Sequence, residues 1–157
     1  MKPFFTHPAI AIVLFVSVLQ GYAQICDPTV PTFTVNLSGN PNGSWISPVV
    51  VRNKNCCGTT NPDRCVRFII TLDSAAVGIL FNIFSGAVPP GAMYYQINCG
   101  PPVKVGSTIC LDGPGPHDLT FCKPGNNPNT YIIQSIAPPN VLAVNANCTG
   151  MMYTFGY

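Results

Sequence analysis

Short stretches of this chain alternate between apolar and polar positions and stop at proline, glycine or asparagine. In CVRFIITLD, for example, Val66, Phe68, Ile70 and Leu72 fall on one face. Side chains point to alternate faces of a β-strand, so a period of two predicts strands with one face toward a core. Eight strands are predicted in this way: Thr32–Leu37, Val49–Val51, Val66–Leu72, Gly78–Phe84, Ala92–Asn98, Ser107–Leu111, Asp118–Cys122 and Thr130–Ile136.

The segments between these strands argue against helices. The chain has 17 prolines and 14 glycines, which favour tight turns and leave no long stretch with helical periodicity. Many short strands without helical crossovers predict an all-β fold. We expect a disulfide-stapled two-sheet sandwich, jelly-roll or immunoglobulin-like, with little helix beyond the signal peptide, in preference to a closed barrel.

The first 23 residues have a different pattern. Lys2 precedes an apolar run, AIAIVLFVSVL, and Gly21 and Ala23 supply the small residues of a cleavage site. The apolar run is shorter than the roughly 20 residues needed to span a bilayer. Residues 1–23 are therefore predicted to be a secretory signal peptide, cleaved after Ala23. A retained membrane anchor and a lipid anchor on Cys26 are the less favoured alternatives.

The remaining chain divides at a short proline-rich link, APPN (residues 137–140). Residues 24–139 are predicted to form one cysteine-rich module, which is long enough to bury a core of its own. After the link, VLAVNANCTGMMYTFGY (residues 141–157) suggests a strand, a turn and the beginning of another strand. We interpret residues 140–157 as the start of a following repeat that is truncated here.

The segment NKNCCGTTNPDRC (residues 53–65) is unusually rich in cysteine. Such density indicates disulfides, metal ligands or reactive thiols. An even number of cysteines in an exported chain favours disulfides, and metal ligation or thiol chemistry is less favoured because residues 24–157 contain one histidine and no C-x-x-C pair. We expect Cys65 to pair with Cys56 or Cys57. All eight cysteines are predicted to form disulfides: Cys26, Cys56, Cys57, Cys65, Cys99, Cys110, Cys122 and Cys148.

Charge excludes some classes of partner. Without Lys2, six basic residues face five acidic ones, a net charge of +1. There is no basic stripe for nucleic acid and no acidic cluster for calcium. Four basic residues lie close together in the sequence and are interpreted as a solvated face: Arg52, Lys54, Arg64 and Arg67.

Catalytic motifs are missing from the sequence. His117 and Asp118 are the only adjacent acid–base pair, but neighbouring residues of a strand point to opposite faces. The histidine is interpreted as a surface residue of a turn. The aspartates are scattered, and most are expected to cap turns. We therefore predict no catalytic residue, no metal site and no cofactor.

Ligand binding is a separate possibility. Three aromatic residues are candidates for contact with a sugar or a protein: Trp45, Phe84 and Tyr94. Phe84 and Tyr94 are out of phase with the inward-facing positions of their strands, so both are expected to be exposed. Tyr95 is expected in the core, where aromatic side chains commonly lie.

The text of the sequence from Cys56 to Ile136 also resembles a known kind of module. The strings CCGT, GAVPPGA, YYQINCGPP and FCKPGNN are similar to the N-terminal cysteine-rich module of large exported surface proteins of gliding bacteria. The resemblance implies an adhesin-like architecture, with a signal peptide, immunoglobulin-like repeats and a sorting domain for type IX secretion. It implies no binding or catalytic residue.

These observations lead to an expected function and its alternatives. We expect a secreted, non-enzymatic module at the surface of a cell, which presents rigid loops to an unknown ligand, a glycan or a protein. No nucleic acid, and no membrane after signal cleavage, is expected as a partner. One alternative is a carbohydrate-binding module of a secreted multidomain protein. Another is a disulfide-rich inhibitor whose loop at 88–91 enters a protease.

Overall fold

A computed structural model describes residues 26–84 and 93–138. The predicted signal peptide and the predicted following repeat lie outside these residues. The described part has no helix, and so no helix long and apolar enough to cross a membrane. It has ten β-strands: β1 Thr32–Asn36, β2 Ser44–Ile46, β3 Val50–Val51, β4 Asp63–Thr71, β5 Gly78–Phe84, β6 Tyr94–Ile97, β7 Pro102–Lys104, β8 Thr108–Cys110, β9 His117–Pro124 and β10 Pro128–Ile136.

The strands form two packed sheets. Sheet I has the order β1-β4-β9-β6-β7, and sheet II has the order β2-β10-β5-β8, with β3 pairing with β10. All pairs are antiparallel except β1 with β4. The consecutive strands β4 and β5, and likewise β9 and β10, lie in opposite sheets. The prediction of an all-β, disulfide-stapled two-sheet sandwich is confirmed.

The predicted inward positions of β4 and β5 lie in the core between the sheets. Val66, Phe68 and Ile70 on β4 are fully buried, as are Ile79 and Phe81 on β5. Aromatic rings meet across the two sheets: the ring centroid of Phe81 lies 5.0 Å from that of Tyr95 and 5.8 Å from that of Phe121. Within sheet II, the Phe81 centroid lies 5.9 Å from that of Tyr131 on the neighbouring strand β10. Tyr95 is therefore a core residue, as predicted. Aromatic pairs at these separations add about 0.5–1.5 kcal/mol each beyond the burial of their surface.

Each of the eight predicted strands corresponds to an observed one, but two strands were not predicted. β2 is only three residues long, and β7 begins at Pro102. Proline is tolerated at the first residue of an edge strand, where its missing N–H is not needed. The strand β4 also begins earlier than predicted, at Asp63, because its first residues pair with the end of β9.

Two expectations about polar side chains were wrong. Arg52 is only 3% exposed and does not belong to a solvated face. It follows Val50 by two positions and therefore points to the same side, between the sheets. Its guanidinium donates hydrogen bonds to Asn129 Oδ1, to the Tyr131 hydroxyl at 3.0 Å and to the Gly125 carbonyl at 3.2 Å.

The second wrong expectation concerns His117 and Asp118. His117 is the first residue of β9 and is buried, with Nε2 3.0 Å from the Gly113 carbonyl oxygen. Asp118 is not an isolated carboxylate, since it accepts three hydrogen bonds from Arg67. These bonds raise the pKa of Arg67. The two neighbours face different partners, as the alternation of a strand requires.

The burial of Tyr95 predicts a loss of stability at high pH. Burial raises the pKa of Tyr95 to about 12, whereas an unfolded tyrosine has a pKa of about 10. The folded state holds this proton more tightly, so its contribution is complete below pH 10 and is lost as the pH rises toward 12. We expect the free energy of unfolding to fall by about 2–3 kcal/mol across this range. Denaturant unfolding at a series of pH values measures it.

The matched controls are Tyr95→Phe and Tyr94→Phe. The first removes the buried ionisable hydroxyl and should reduce the alkaline loss of stability. The second changes an exposed tyrosine on the same strand and should leave the loss unchanged. An identical pH profile for wild type and Tyr95→Phe would contradict the assignment.

Candidate contact site

The outer face of sheet I carries a second, smaller core made largely of cysteine. Val66 and Phe121 face the main core, so the next residues, Cys65 and Cys122, face outward. These two cysteines are direct cross-strand partners and form a disulfide. Two further disulfides, Cys26–Cys56 and Cys57–Cys99, lie in the same cluster. We call residues 26–30 and 53–62 the disulfide cap.

Backbone pairing fixes the disulfide cap beside the first part of β4. The register of β1 with β4 begins at Arg67, which leaves the preceding residues of β4 without a strand on that side. The cap occupies this place: Asn53 N–H donates to the Cys65 carbonyl at 3.0 Å, and Cys65 N–H donates to the Lys54 carbonyl at 2.9 Å. Asp27 N–H donates in turn to the Asn55 carbonyl at 3.1 Å. The cap therefore continues sheet I at its edge.

The three disulfides show how six of the cysteines are paired, which the sequence had left open. The expectation that Cys65 pairs with Cys56 or Cys57 is wrong, because those two cysteines bridge to Cys26 and Cys99 instead. Strand register explains the difference, since it places Cys122 directly opposite Cys65. Cys110 is disulfide-bonded as well, and Cys148 lies outside the described residues.

A polar cleft of about 420 Å³ opens in the disulfide cap. Both parts of the cap and the beginning of β4 contribute to it. Its lining consists of amide and charged side chains: Asp27, Asn53, Lys54, Asn55, Asn61 and Arg64. Amides and charged groups offer both donors and acceptors, so the cleft suits a ligand rich in hydroxyl, carboxylate or amide groups.

Several of the lining side chains are held in place by their neighbours. Arg64 donates to Asn61 Oδ1 at 2.7 Å, and Asn55 Nδ2 donates to the Thr59 carbonyl at 2.9 Å. The Asp27 carboxylate accepts hydrogen bonds from the Thr29 side chain and backbone, which lower its pKa. Asp27 is thus ionised at neutral pH, beside the cations of Lys54 and Arg64.

The three predicted ligand-contact residues do not come together. Trp45 is half-buried against the core, with its ring centroid 5.7 Å from that of Phe68. Phe84 is 64% exposed at the end of β5 in sheet II, and Tyr94 is 46% exposed at the start of β6 in sheet I. Both are exposed, as predicted, but they belong to different sheets. No single surface contains all three.

The cleft was not predicted as a site. Five of its six residues lie between positions 53 and 64, where the sequence shows charged and amide residues interleaved with cysteines. We interpreted this composition as a solvated face. The sequence feature that could have indicated the cleft is the occurrence of asparagine, lysine and arginine beside cysteines that hold the backbone rigid.

Metal ligation finds no support in the described residues. Within residues 26–84 and 93–138, no group of three or more histidine, cysteine, aspartate or glutamate side chains could hold a metal ion. The cleft itself contains one carboxylate and two cations. Its chemistry is that of polar contact.

Fold and cleft together define this chain as a disulfide-stapled β-sandwich with a polar cleft. No protein-family model, no curated protein and no solved structure matches it.

The structure predicts that the Cys57–Cys99 disulfide is needed to hold the cleft. Cys57 lies over β9, with its sulfur 3.2 Å from the Thr120 hydroxyl, and the bridge connects the cap to the end of β6. Replacing both cysteines by serine should lower the free energy of unfolding by about 2–4 kcal/mol. It should also speed the hydrogen exchange of residues 55–62. Denaturant unfolding and exchange mass spectrometry measure these effects.

A variant without the Cys26–Cys56 disulfide is the comparison for the variant without Cys57–Cys99. The Cys26–Cys56 bridge closes 30 residues rather than 42, and it does not connect the cap to β6. Unchanged stability and exchange in the variant without Cys57–Cys99 would show that the cap holds its place by backbone pairing alone.

Proposed function

We propose that this protein is a non-enzymatic, extracellular contact module that binds a polar ligand in the cleft of its disulfide cap. The ligand class is a glycan or another hydroxyl-rich surface group. The observation that supports this proposal most directly is the cleft itself, in which amide and charged side chains converge on a backbone held by three disulfides.

Rigidity is the physical reason that the cleft suits binding. A flexible loop loses conformational entropy when it closes on a ligand, and this loss reduces affinity. The disulfide cap is already fixed by its bridges and by the pairing of Asn53 with Cys65. Its donors and acceptors can therefore meet a ligand with little ordering of the backbone.

The setting of the module is part of the same proposal. Disulfides form and persist in oxidising compartments, which suggests an extracellular environment for this chain. The resemblance of residues 56–136 to modules of gliding-associated surface proteins supports a place at the tip of an adhesin exported by type IX secretion. In that setting the cap would be the part that contacts other cells or surfaces.

A binding experiment tests the cleft. The purified chain is applied to a printed array of neutral and acidic oligosaccharides. We expect saturable binding that weakens about tenfold or more in the Asn53→Ala/Lys54→Ala variant, because each lost hydrogen bond to a ligand contributes about 1 kcal/mol and one to a charged group contributes more. Lys104→Ala is the control, because this lysine is an exposed residue of β7 that does not line the cleft.

Equal binding by wild type and the cleft variant would contradict the proposal. Binding lost equally in the Lys104→Ala control would indicate attraction by net charge or contact beside Lys104, and either result would also count against the cleft.

A second candidate is a carbohydrate-binding module of a secreted multidomain protein that uses Tyr94. The half-exposed ring of Tyr94 stands beside Lys104 of β7, its cross-strand partner. Sugars stack on such aromatic faces because their C–H groups contact the ring while their hydroxyls reach polar neighbours.

On the same array, this second candidate function predicts that Tyr94→Ala abolishes binding while the Asn53→Ala/Lys54→Ala variant retains it. Phe84→Ala is the control, because it removes an exposed aromatic ring from the other sheet. Retained binding by Tyr94→Ala would exclude this second candidate.

A further inference from the structure

The outer face of sheet II carries an apolar strip. Ile79 and Phe81 of β5 face the core, so Leu80, Asn82 and Phe84 face outward. The cross-strand register adds Ile132 of β10 and Ile46 of β2, in one row with the polar Asn82, and places the polar Gln134 beside Leu80. We call Leu80, Phe84, Ile132 and Ile46 the apolar strip. Ile46 is 61% exposed and Phe84 is 64% exposed. Large apolar side chains grouped on one exposed face can be covered by another apolar segment. Among the described residues no strand or loop covers these two side chains.

Cys110 lies at one end of the same outer face. It is paired with Gly78 of β5, which is paired in turn with Ile136 of β10, so the three residues form one row across the sheet. Neighbouring Ile109 packs against the core, and the Cys110 side chain therefore points outward. Two strand spacings separate Cys110 from Ile136, a distance of about 10 Å.

The count of cysteines identifies a partner for Cys110. This residue is disulfide-bonded, and the six other cysteines of the described part are paired with one another. Cys148 is the remaining cysteine of the sequence and follows Ile136 by twelve residues. Twelve residues can span about 40 Å, several times the separation of Ile136 and Cys110.

The residues after Cys148 match the apolar strip in character and length. The sequence TGMMYTFGY (residues 149–157) contains two methionines, two tyrosines and a phenylalanine and has no charged side chain. Phe84 lies six residues along β5 from the row of Cys110, about 20 Å away. Nine residues can extend over about 30 Å and can therefore reach it from Cys148.

We propose that Cys148 forms a disulfide with Cys110 and that residues 149–157 of the same chain then lie along the outer face of sheet II, covering Leu80, Ile132 and Phe84. Forming the bond joins two thiols by thiol–disulfide exchange with a disulfide oxidant, which is itself reduced to two thiols. The covered face is then an internal interface of the chain. This inference does not depend on the polar cleft or on its ligand.

The first test maps the disulfide in the full, unreduced chain. Cleavage after Lys104, before Asp112 and after Tyr131 separates Cys110 from Cys99, Cys122 and Cys148. Mass spectrometry should then find a cross-linked pair that contains Cys110 and Cys148 of one monomer. Cys110 linked to another thiol, or to Cys148 of a second copy, would overturn the proposal.

The second test measures coverage by hydroxyl-radical footprinting. In wild type, Phe84 and Leu80 should be oxidised several-fold more slowly than in the Cys110→Ser/Cys148→Ser variant, while Tyr94 on sheet I serves as an internal control and should not change. A further variant, Met152→Ser/Phe155→Ser, keeps every cysteine and should expose Phe84 in the same way, even if the first variant folds poorly.

Equal oxidation of Phe84 in wild type and in both variants would overturn the proposal. Protection that grows with protein concentration would also overturn it, because a second copy of the chain would then be the occupant of the strip.

Discussion

Sheet I has apolar or sulfur-containing groups on both of its faces at the beginning of β4, and the disulfide between Cys65 and Cys122 is what makes this possible. Inward from this pair, Val66 and Phe121 belong to the main core. Outward from it, Val30, Cys56 and Cys57 are buried against the bridge. Without the bridge, the cap would keep its backbone hydrogen bonds and its link through Cys57–Cys99, but it would lose the buried surface on which it packs. With it, the cap becomes part of the fold.

The size of the chain explains why sulfur has this role. The described core is dominated by one layer of side chains between two sheets, and the chain has few charged residues to stabilise long loops by ion pairs. Residues 37–62 contain only two short strands, β2 and β3, and thus little pairing of their own. Disulfides hold such a segment by reducing the entropy of the unfolded chain, without a requirement for more apolar surface.

Alternation along the strands predicted the class of fold because it is a local property: Phe68 and Phe81 face inward wherever their strands lie. The disulfide pairing could not be predicted, since Cys65 meets Cys122 only through the register of β4 with β9. The cleft was missed for the same reason. Asp27 and Asn61 are far apart in sequence, and the Cys26–Cys56 bridge brings their segments together. The burial of Arg52 also follows from tertiary packing rather than from composition.

Arg52 and the residue after it connect the disulfide cap to both sheets. A buried cation is costly unless its hydrogen bonds are made. The two terminal nitrogens of the Arg52 guanidinium bind Asn129 and Tyr131 of β10 and the Gly125 carbonyl, while Nε has no partner among the described residues. The guanidinium carbon lies 5.5 Å from the Phe121 ring centroid. The next residue, Asn53, pairs with Cys65 of sheet I. The chain is therefore held to sheet II by a side chain and to sheet I by its backbone within two residues. Lys54 continues the attachment to sheet I, because its carbonyl accepts a hydrogen bond from Cys65 N–H. Asn53 and Lys54 both line the cleft, and so one wall of the cleft has its position set by both sheets.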